Sequence, residues 1–145
     1  RNCKITENGS ETLSTTTDIY GGGVYVNGGA LENCNIFENH LKNDKGGSLR
    51  GAGVYMKAGH ILDCEINNNV NNSDSHYSYS FGGGLCVENQ ATNNVSKVEN
   101  CYIHDNSSIG YAGGIYVSGG KTINLGAVEI LSNICYTCSG HALYF

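Results

Sequence analysis

Apolar and polar positions alternate over short segments of this chain, and one such segment keeps returning. Each copy has glycines followed by three residues, of which the first and the third are apolar. The copies are "GGGVYV", "GAGVYM", "GGGLCV" and "AGGIYV". The first apolar residue of each copy recurs in steps of 28 to 31 residues, at Val24, Val54, Leu85, Ile115 and Leu143. Because Val24 and Val26 alternate with Tyr25, the pattern predicts a strand with one buried face.

A second block repeats along the chain with steps of 31, 30, 37 and 27 residues. It centres on Ile5, Ile36, Ile66, Ile103 and Ile130. Each isoleucine is followed three residues later by an asparagine, namely Asn8, Asn39, Asn69, Asn106 and Asn133. Two residues before it stand Cys3, Cys34, Cys64 and Cys101, with Val128 in the last copy. Period-two alternation again predicts a short strand, so each repeat holds two or three strands joined by Gly- and Asn-rich bends.

Such a unit cannot bury its apolar face alone, and stacking of copies solves that problem. We predict an all-β fold, a right-handed parallel β-helix of about five coils of 28–31 residues with no helix of note. Residues 1–145 form one β-helix segment, and the partial coils at both ends indicate part of a longer solenoid or fibre. "LENCNIFEN" also fits a leucine-rich repeat, which is the alternative fold.

Stacking would turn each repeat position into a column. The five asparagines are expected to form a ladder of amide hydrogen bonds at a bend, where Asn tolerates positive φ. The four cysteines are expected to point inward as small apolar fillers with free thiols, although neighbours one coil apart could bridge. An outward aromatic column is predicted from Tyr25, Tyr55, Tyr116 and Tyr144, with Cys86 in the same column.

The segments between the asparagine and the next glycines vary in length. They cover 9–20, 40–50, 70–81, 107–111 and 134–139, and all leave the coil at one corner. A further insertion covers 88–97. We expect loops clustered on one side of the solenoid, where they either build a binding surface or vary neutrally.

Composition and charge restrict the function. Charged residues make up 14% of the chain and the net charge is −5, with no basic run, so no nucleic-acid partner is expected. The chain has no apolar run of about 18 residues, so no direct membrane insertion is expected. Chain 1–145 has no initiator Met, which is consistent with a mature piece or fragment.

Candidate chemistry is sparse. Cys135 and Cys138 have C-x-x-C spacing, for which a local disulfide or two free thiols are favoured over zinc. The histidines never pair at ligand spacing, so no metal and no cofactor are predicted. Among the N-x-[ST] sequons, Asn71 and Asn94 lie in insertions and are the possible glycosylation sites, whereas Asn8 and Asn106 belong to the ladder. Asp63 and Glu65 are the one carboxylate pair considered for glycan cleavage, against a reading as solvated acids.

The repeated motifs resemble a known family. "GGGV", "GAGV", "GGGL", "AGGI" and "GHAL", followed by "IFEN", "INNN", "IHDN" or "ILSN", are similar to the paired GGA[ILV] and FxxN motifs of polymorphic outer-membrane protein repeats, with Ile where that family has Phe. They also resemble the right-handed β-helix repeats of other bacterial surface adhesins. The resemblance implies a secreted, surface-displayed, adhesive or structural solenoid, and it assigns no catalytic residue.

These observations favour an extracellular structural or adhesive β-solenoid of a cell-surface or fibre protein, which is not an enzyme. Its partner would be a protein or glycan surface, contacted by the tyrosine column and the loops. The alternatives are a glycan-binding or polysaccharide-degrading β-helix and a subunit that self-associates head to tail into a filament.

Overall fold

The computed structural model describes residues 2–12, 17–73, 78–88, 95–119, 123–137 and 140–145. In chain order its strands are β1 Lys4–Thr6, β2 Gly9–Thr12, β3 Ile19–Tyr20, β4 Val24–Glu32, β5 Asn35–Phe37, β6 His40–Asn43, β7 Gly47–Arg50, β8 Val54–Leu62, β9 Glu65–Asn67, β10 Val70–Asn72, β11 Ser78–Phe81, β12 Leu85–Glu88, β13 Ser96–Glu99, β14 Tyr102–His104, β15 Ser107–Ser108, β16 Ile115–Ser118, β17 Ile123–Gly126, β18 Glu129–Leu131, β19 Ile134–Cys135 and β20 Leu143–Tyr144.

The strands form four parallel sheets that the chain visits in turn. Sheet A contains β1, β5, β9, β14 and β18; sheet B contains β2, β6, β10, β15 and β19; sheet C contains β3, β7 and β11; sheet D contains β4, β8, β12, β13, β16, β17 and β20. Every pair is parallel and joins equivalent residues of successive repeats, such as Ile36 with Ile66 and Ile66 with Ile103. The fold is therefore an all-β parallel solenoid of about four turns, and no helix occurs in the described residues.

Two expectations need correction. The chain makes about four turns rather than five coils, because the first and last repeats are each incomplete. The segments expected as loops are largely strands, since β2, β6, β10, β15 and β19 build sheet B, and β3, β7 and β11 build sheet C. The hydrophobic pattern did not indicate these strands, because polar residues line part of the interior. Asn71 is buried and donates to Leu49 O at 3.0 Å, and the Ser73 hydroxyl donates to Asn43 O at 2.6 Å.

Sharp bends between the sheets come from left-handed residues at fixed repeat positions. One set precedes the cysteine column, with φ of 49° to 57° at Asn2, Asn33, Asp63, Asn100 and Ala127. The other precedes the asparagine column, with φ of 51° to 57° at Glu7, Glu38, Asn68, Asp105 and Ser132. The bend residue is thus the exposed one before each ladder asparagine, and not the asparagine itself, which turns its amide inward.

The main core lies between sheets A and D. Ile36, Ile66 and Ile103 are fully buried there against Val54, Leu85 and Ile115. A smaller core of Leu41, Leu49 and Ala52, with Ile19 against it, lies under sheets B and C. Each coil covers the apolar side chains of the coils above and below it. A single repeat therefore needs further copies beside it in order to fold.

Candidate functional site

The asparagine column forms a continuous hydrogen-bonded ladder. Asn69 Oδ1 accepts from Asn39 N and Asn39 Nδ2, both at 3.0 Å, and Asn106 Oδ1 accepts from Asn69 N and Nδ2 at 3.0 and 2.9 Å. Asn133 Oδ1 receives the same pair from Asn106, and Asn39 Oδ1 the same pair from Asn8. Asn39, Asn69 and Asn106 are fully buried, whereas Asn8 is exposed. The ladder satisfies buried amides at each bend, so its role is structural.

Glycine is required where the backbone passes close to the ladder asparagine of the same coil. A Cβ on Gly53 would lie 2.8 Å from Asn69 Nδ2, and one on Gly84 would lie 2.8 Å from Asn106 Nδ2. The third glycine of each "GGG" copy therefore serves close packing of the backbone on the ladder.

The cysteine column lies on the opposite end of the sheet A strands. Cys34, Cys64 and Cys101 are each 3% exposed and carry free thiols, while Cys3 is exposed rather than inward. Each buried thiol donates to the carbonyl two residues before it, at 3.1 to 3.2 Å. The neighbouring thiol of Cys101, together with burial, raises the pKa of Cys64, and the same interaction lowers the pKa of Cys101.

Two columns of side chains meet along the bend between sheets C and D, and we call them together the aromatic strip. The first column ends sheet C and contains Tyr20, Arg50, Phe81 and Tyr111, paired in register. The second lies in sheet D and contains Tyr25, Tyr55, Cys86, Tyr116 and Tyr144. In each copy the two columns stand five residues apart, on either side of the glycine bend. Four inter-strand steps give the strip a length of about 19 Å.

Rings of the two columns are in contact across the bend. Tyr20 lies 4.8 Å from Tyr55 and 6.5 Å from Tyr25, centroid to centroid. Phe81 lies 4.7 Å from Tyr116 and stacks on Tyr111 at 5.2 Å. Along the second column Tyr116 stacks on Tyr144 at 5.5 Å, with 10° between the planes. These separations are those at which aromatic pairs attract, so the strip is a packed array and not a set of loose rings.

An ion network holds the centre of the strip. Arg50 Nη1 lies 2.8 Å from Asp18 Oδ2, and Arg50 Nε lies 2.7 Å from Glu88 Oε1. The guanidinium also sits 5.4 Å from the Tyr20 ring and 5.2 Å from the Phe81 ring. Burial opposes the charge of Arg50, but the contacts with Asp18 and Glu88 outweigh it and raise the pKa of the guanidinium. One cation between two carboxylates leaves the strip without excess positive charge.

The tyrosines of the second column differ in exposure, which corrects the expected exposed column. Tyr25 is 48% exposed, but Tyr55 is 3% exposed and Cys86 is fully buried. Tyr55 donates to Glu88 Oε2 at 2.9 Å, and burial followed by that hydrogen bond raises the pKa of its hydroxyl. Tyr116 and Tyr144 are half-buried. The physical reason is the first column, because Tyr20 and Arg50 cover residues that a single sheet would leave exposed.

Sequence reasoning missed that first column. Its signal was present, since each of the four residues stands directly before a "GGG", "GAG" or "AGG" motif. Strand pattern alone could not assign it, because β3 has two residues and Tyr111 makes an isolated bridge.

The carboxylates considered for glycan cleavage are both engaged. Asp63 Oδ1 accepts from Asn100 Nδ2 at 3.1 Å, and Glu65 Oε2 accepts from Asn35 Nδ2 at 3.0 Å. Glu65 Oε1 also lies 3.0 Å from His104 Nε2. With Asp105 Oδ2 at 2.7 Å from the other ring nitrogen, His104 is held between two carboxylates and stacks on Tyr102 at 4.0 Å.

Burial of His104 opposes its protonation, but the hydrogen bonds to Asp105 and Glu65 outweigh burial, so the pKa of His104 is raised. A protonated imidazole between two carboxylates fixes surface strands together. Both carboxylate oxygens of Glu65 are therefore already engaged, Oε1 by His104 and Oε2 by Asn35.

The remaining predicted positions divide between buried and undescribed residues. Asn71 is 1% exposed and its Nδ2 donates to Leu49 O, so no glycan fits there in the folded chain, contrary to the expectation. Asn94 lies outside the described residues. Cys135 is disulfide-bonded, and Cys138 lies outside the described residues.

The described residues offer no metal cluster and no membrane-spanning helix. No group of three or more His, Cys, Asp or Glu side chains surrounds a common metal position there. Nor does that part of the chain contain a helix of the length and apolarity needed to cross a bilayer.

Comparison with known proteins adds no relative: no family model, no curated protein and no solved structure matches this chain.

Proposed function

We propose that this chain is a non-catalytic β-solenoid that acts outside the cell as a structural or adhesive element of a cell surface or fibre. The aromatic strip is the observation that carries the proposal. The resemblance of the repeats to polymorphic outer-membrane proteins and other surface adhesins supports it. The disulfide at Cys135 also supports an oxidising, extracellular location.

The strip suits a contact surface because its rings are already ordered. Tyr20 is 39% exposed and Tyr25 is 48% exposed, and both pack against the buried Tyr55. Rigid aromatic side chains lose little conformational entropy when they bind, which is why tyrosine is enriched at interfaces. The partner surface is therefore a protein or a glycan that lies along the stacked coils.

Binding can be tested on immobilised matrix proteins and on an array of neutral and acidic oligosaccharides. We expect the folded chain to bind at least one of these probes, and the double variant Tyr20→Ser/Tyr25→Ser to lose that binding. Tyr136→Ser is the matched control, since Tyr136 is 68% exposed outside the strip. Absence of any binding, or equal binding by the double variant, would contradict the proposal.

A glycan-binding solenoid is the second candidate, favoured by the ring geometry of the strip. The apolar C–H faces of sugar rings pack on aromatic faces, and tyrosine hydroxyls can hydrogen-bond the sugar hydroxyls. Retention of oligosaccharides, with no retention of matrix proteins, would select this candidate. A degrading activity would require release of new reducing ends that Asp63→Asn and Glu65→Gln both abolish.

A further inference from the structure

The three buried thiols of the cysteine column are in equivalent positions on consecutive coils. They directly precede β5, β9 and β14, whose register pairs Asn35 with Glu65 and Glu65 with Tyr102. Cys64 Sγ lies 3.6 Å from Leu31 O, and Cys101 Sγ lies 3.6 Å from Ile61 O, the corresponding carbonyls one coil earlier. Both sulfurs therefore lean the same way, towards the preceding coil. Because β9 and β14 pair in register and both sulfurs lean the same way, the Cys64 and Cys101 thiols are separated by one strand spacing, about 4.8 Å.

Strand spacing decides what can join two such sulfurs. Neighbouring parallel strands lie about 4.8 Å apart, whereas a disulfide needs Cβ atoms roughly 3.5–4.5 Å apart. A single bridging atom relaxes that limit. Two metal–sulfur bonds of about 2.3 Å, the length found for zinc thiolates, span about 4.6 Å when they are in line. The column spacing thus matches a two-coordinate ion better than a sulfur–sulfur bond.

Charge and chemistry then select the ion. Thiol and thiolate ligands prefer soft ions such as copper(I), and linear two-coordination is a geometry of soft monovalent ions. A monovalent ion that displaces one proton leaves one thiolate, one thiol and no net charge. That balance matters because an uncompensated charge is costly in a site as buried as this.

We propose that Cys64 and Cys101 form a binding site for one soft monovalent metal ion of the copper(I) class, bridged between two adjacent coils. On binding, one thiol proton leaves to solvent and two metal–sulfur bonds form, with no change of oxidation state. Entry is short, because Asp63 and Asn100 are exposed at the bends directly before the two ligands. Cys34, one coil below Cys64, is not needed for the site.

Silver(I) is the probe, since it has the same coordination preference and does not cycle its oxidation state. The full chain carries the substitution Cys3→Ser, which removes the exposed thiol. It is titrated with silver(I) in chloride-free buffer and followed by calorimetry. We expect one tight site per chain and about one proton released per ion, measured from two buffers of different ionisation heat. X-ray absorption should show two sulfur neighbours and no nitrogen or oxygen neighbour.

The last repeat supplies the matched variants, because Val128 occupies the cysteine column there. Cys64→Val and Cys101→Val should each lose the tight site, while Cys34→Val and Cys86→Ala should retain it. Circular dichroism checks each fold, and Cys64→Ser or Cys101→Ser replaces a valine variant that fails to fold. The proposal is overturned if Cys64 and Cys101 variants bind silver as the parent does, or if loss follows the total number of thiols.

Discussion

Arg50 Nε lies 2.7 Å from Glu88 Oε1, and the other carboxylate oxygen of Glu88 accepts the Tyr55 hydroxyl at 2.9 Å. The two residues belong to different sheets and join the two columns of the aromatic strip. Beneath them Cys86 is fully buried, in a column otherwise made of tyrosines. The small cysteine is what leaves room for the ion pair at the centre of the strip.

Removal of that carboxylate should destabilise the fold. Glu88→Ala leaves the buried Tyr55 hydroxyl without its acceptor and Arg50 with one carboxylate. Because the Arg50 and Glu88 side chains are each 19% exposed, we expect a loss of about 1–3 kcal/mol rather than the larger cost of a fully buried pair. Urea unfolding measures it. Glu129→Ala, at an exposed strand position, is the control, and an equal midpoint in both variants would argue against the network.

The ladder should be far less tolerant. Asn69→Ala removes the acceptor of two Asn39 hydrogen bonds and the donor to Ile36 O, all in fully buried surroundings. We expect a loss of about 2–4 kcal/mol or failure to fold. Asn72→Ala, at an exposed position of β10, should change the unfolding free energy by less than about 0.5 kcal/mol. A ladder variant as stable as that control would show that the amides are dispensable.

Stability should depend on the protonation of His104. Its pKa is raised in the folded chain, so its contribution is fully present below the unfolded value of about 6.5 and is lost as pH rises through the folded pKa. The groups that face it are Glu65, Asp105 and the Tyr102 ring. The melting temperature of the parent chain should therefore exceed that of His104→Gln at pH 5.5, and the gap should narrow by pH 8.5. A gap independent of pH would contradict the ion pairing; His40→Gln, at an exposed position, is the control.

Glycosylation should avoid Asn71. Its side chain is buried and its amide nitrogen donates to Leu49 O, so a transferase would need an unfolded segment to reach it. After expression through a eukaryotic secretory pathway, peptide mass spectrometry should find Asn71 unmodified in folded protein. A glycan there at high occupancy would mean that sheet B closes only after the modification.

Head-to-tail self-association stays a prediction. Light scattering of the isolated chain over a range of concentrations tests it, and a species that is monomeric throughout would rule it out.

Much of the fold could be predicted because period-two alternation and fixed spacings within each repeated block act on the same residues. The isoleucine and asparagine columns follow directly from their spacing. When equivalent bends stack in register, each isoleucine and each asparagine can only lie over its counterpart in the next coil. Sheets B and C could not be predicted in this way. Their strands are short and unequal in length, and Asn and Ser line part of their interior. These polar side chains can be buried because they form hydrogen bonds with neighbouring coils.

The sequence by itself determined the parallel stack, the buried isoleucines and the asparagines that tie one coil to the next. Tertiary structure alone decided which tyrosines face solvent. Tyr25 and Tyr55 occupy the same repeat position. Yet Tyr55 packs against Tyr20 of sheet C and donates to Glu88 of the next coil, which Arg50 holds in place. Exposure on the outside of a solenoid depends on what the next bend brings alongside, and a repeat pattern does not record that.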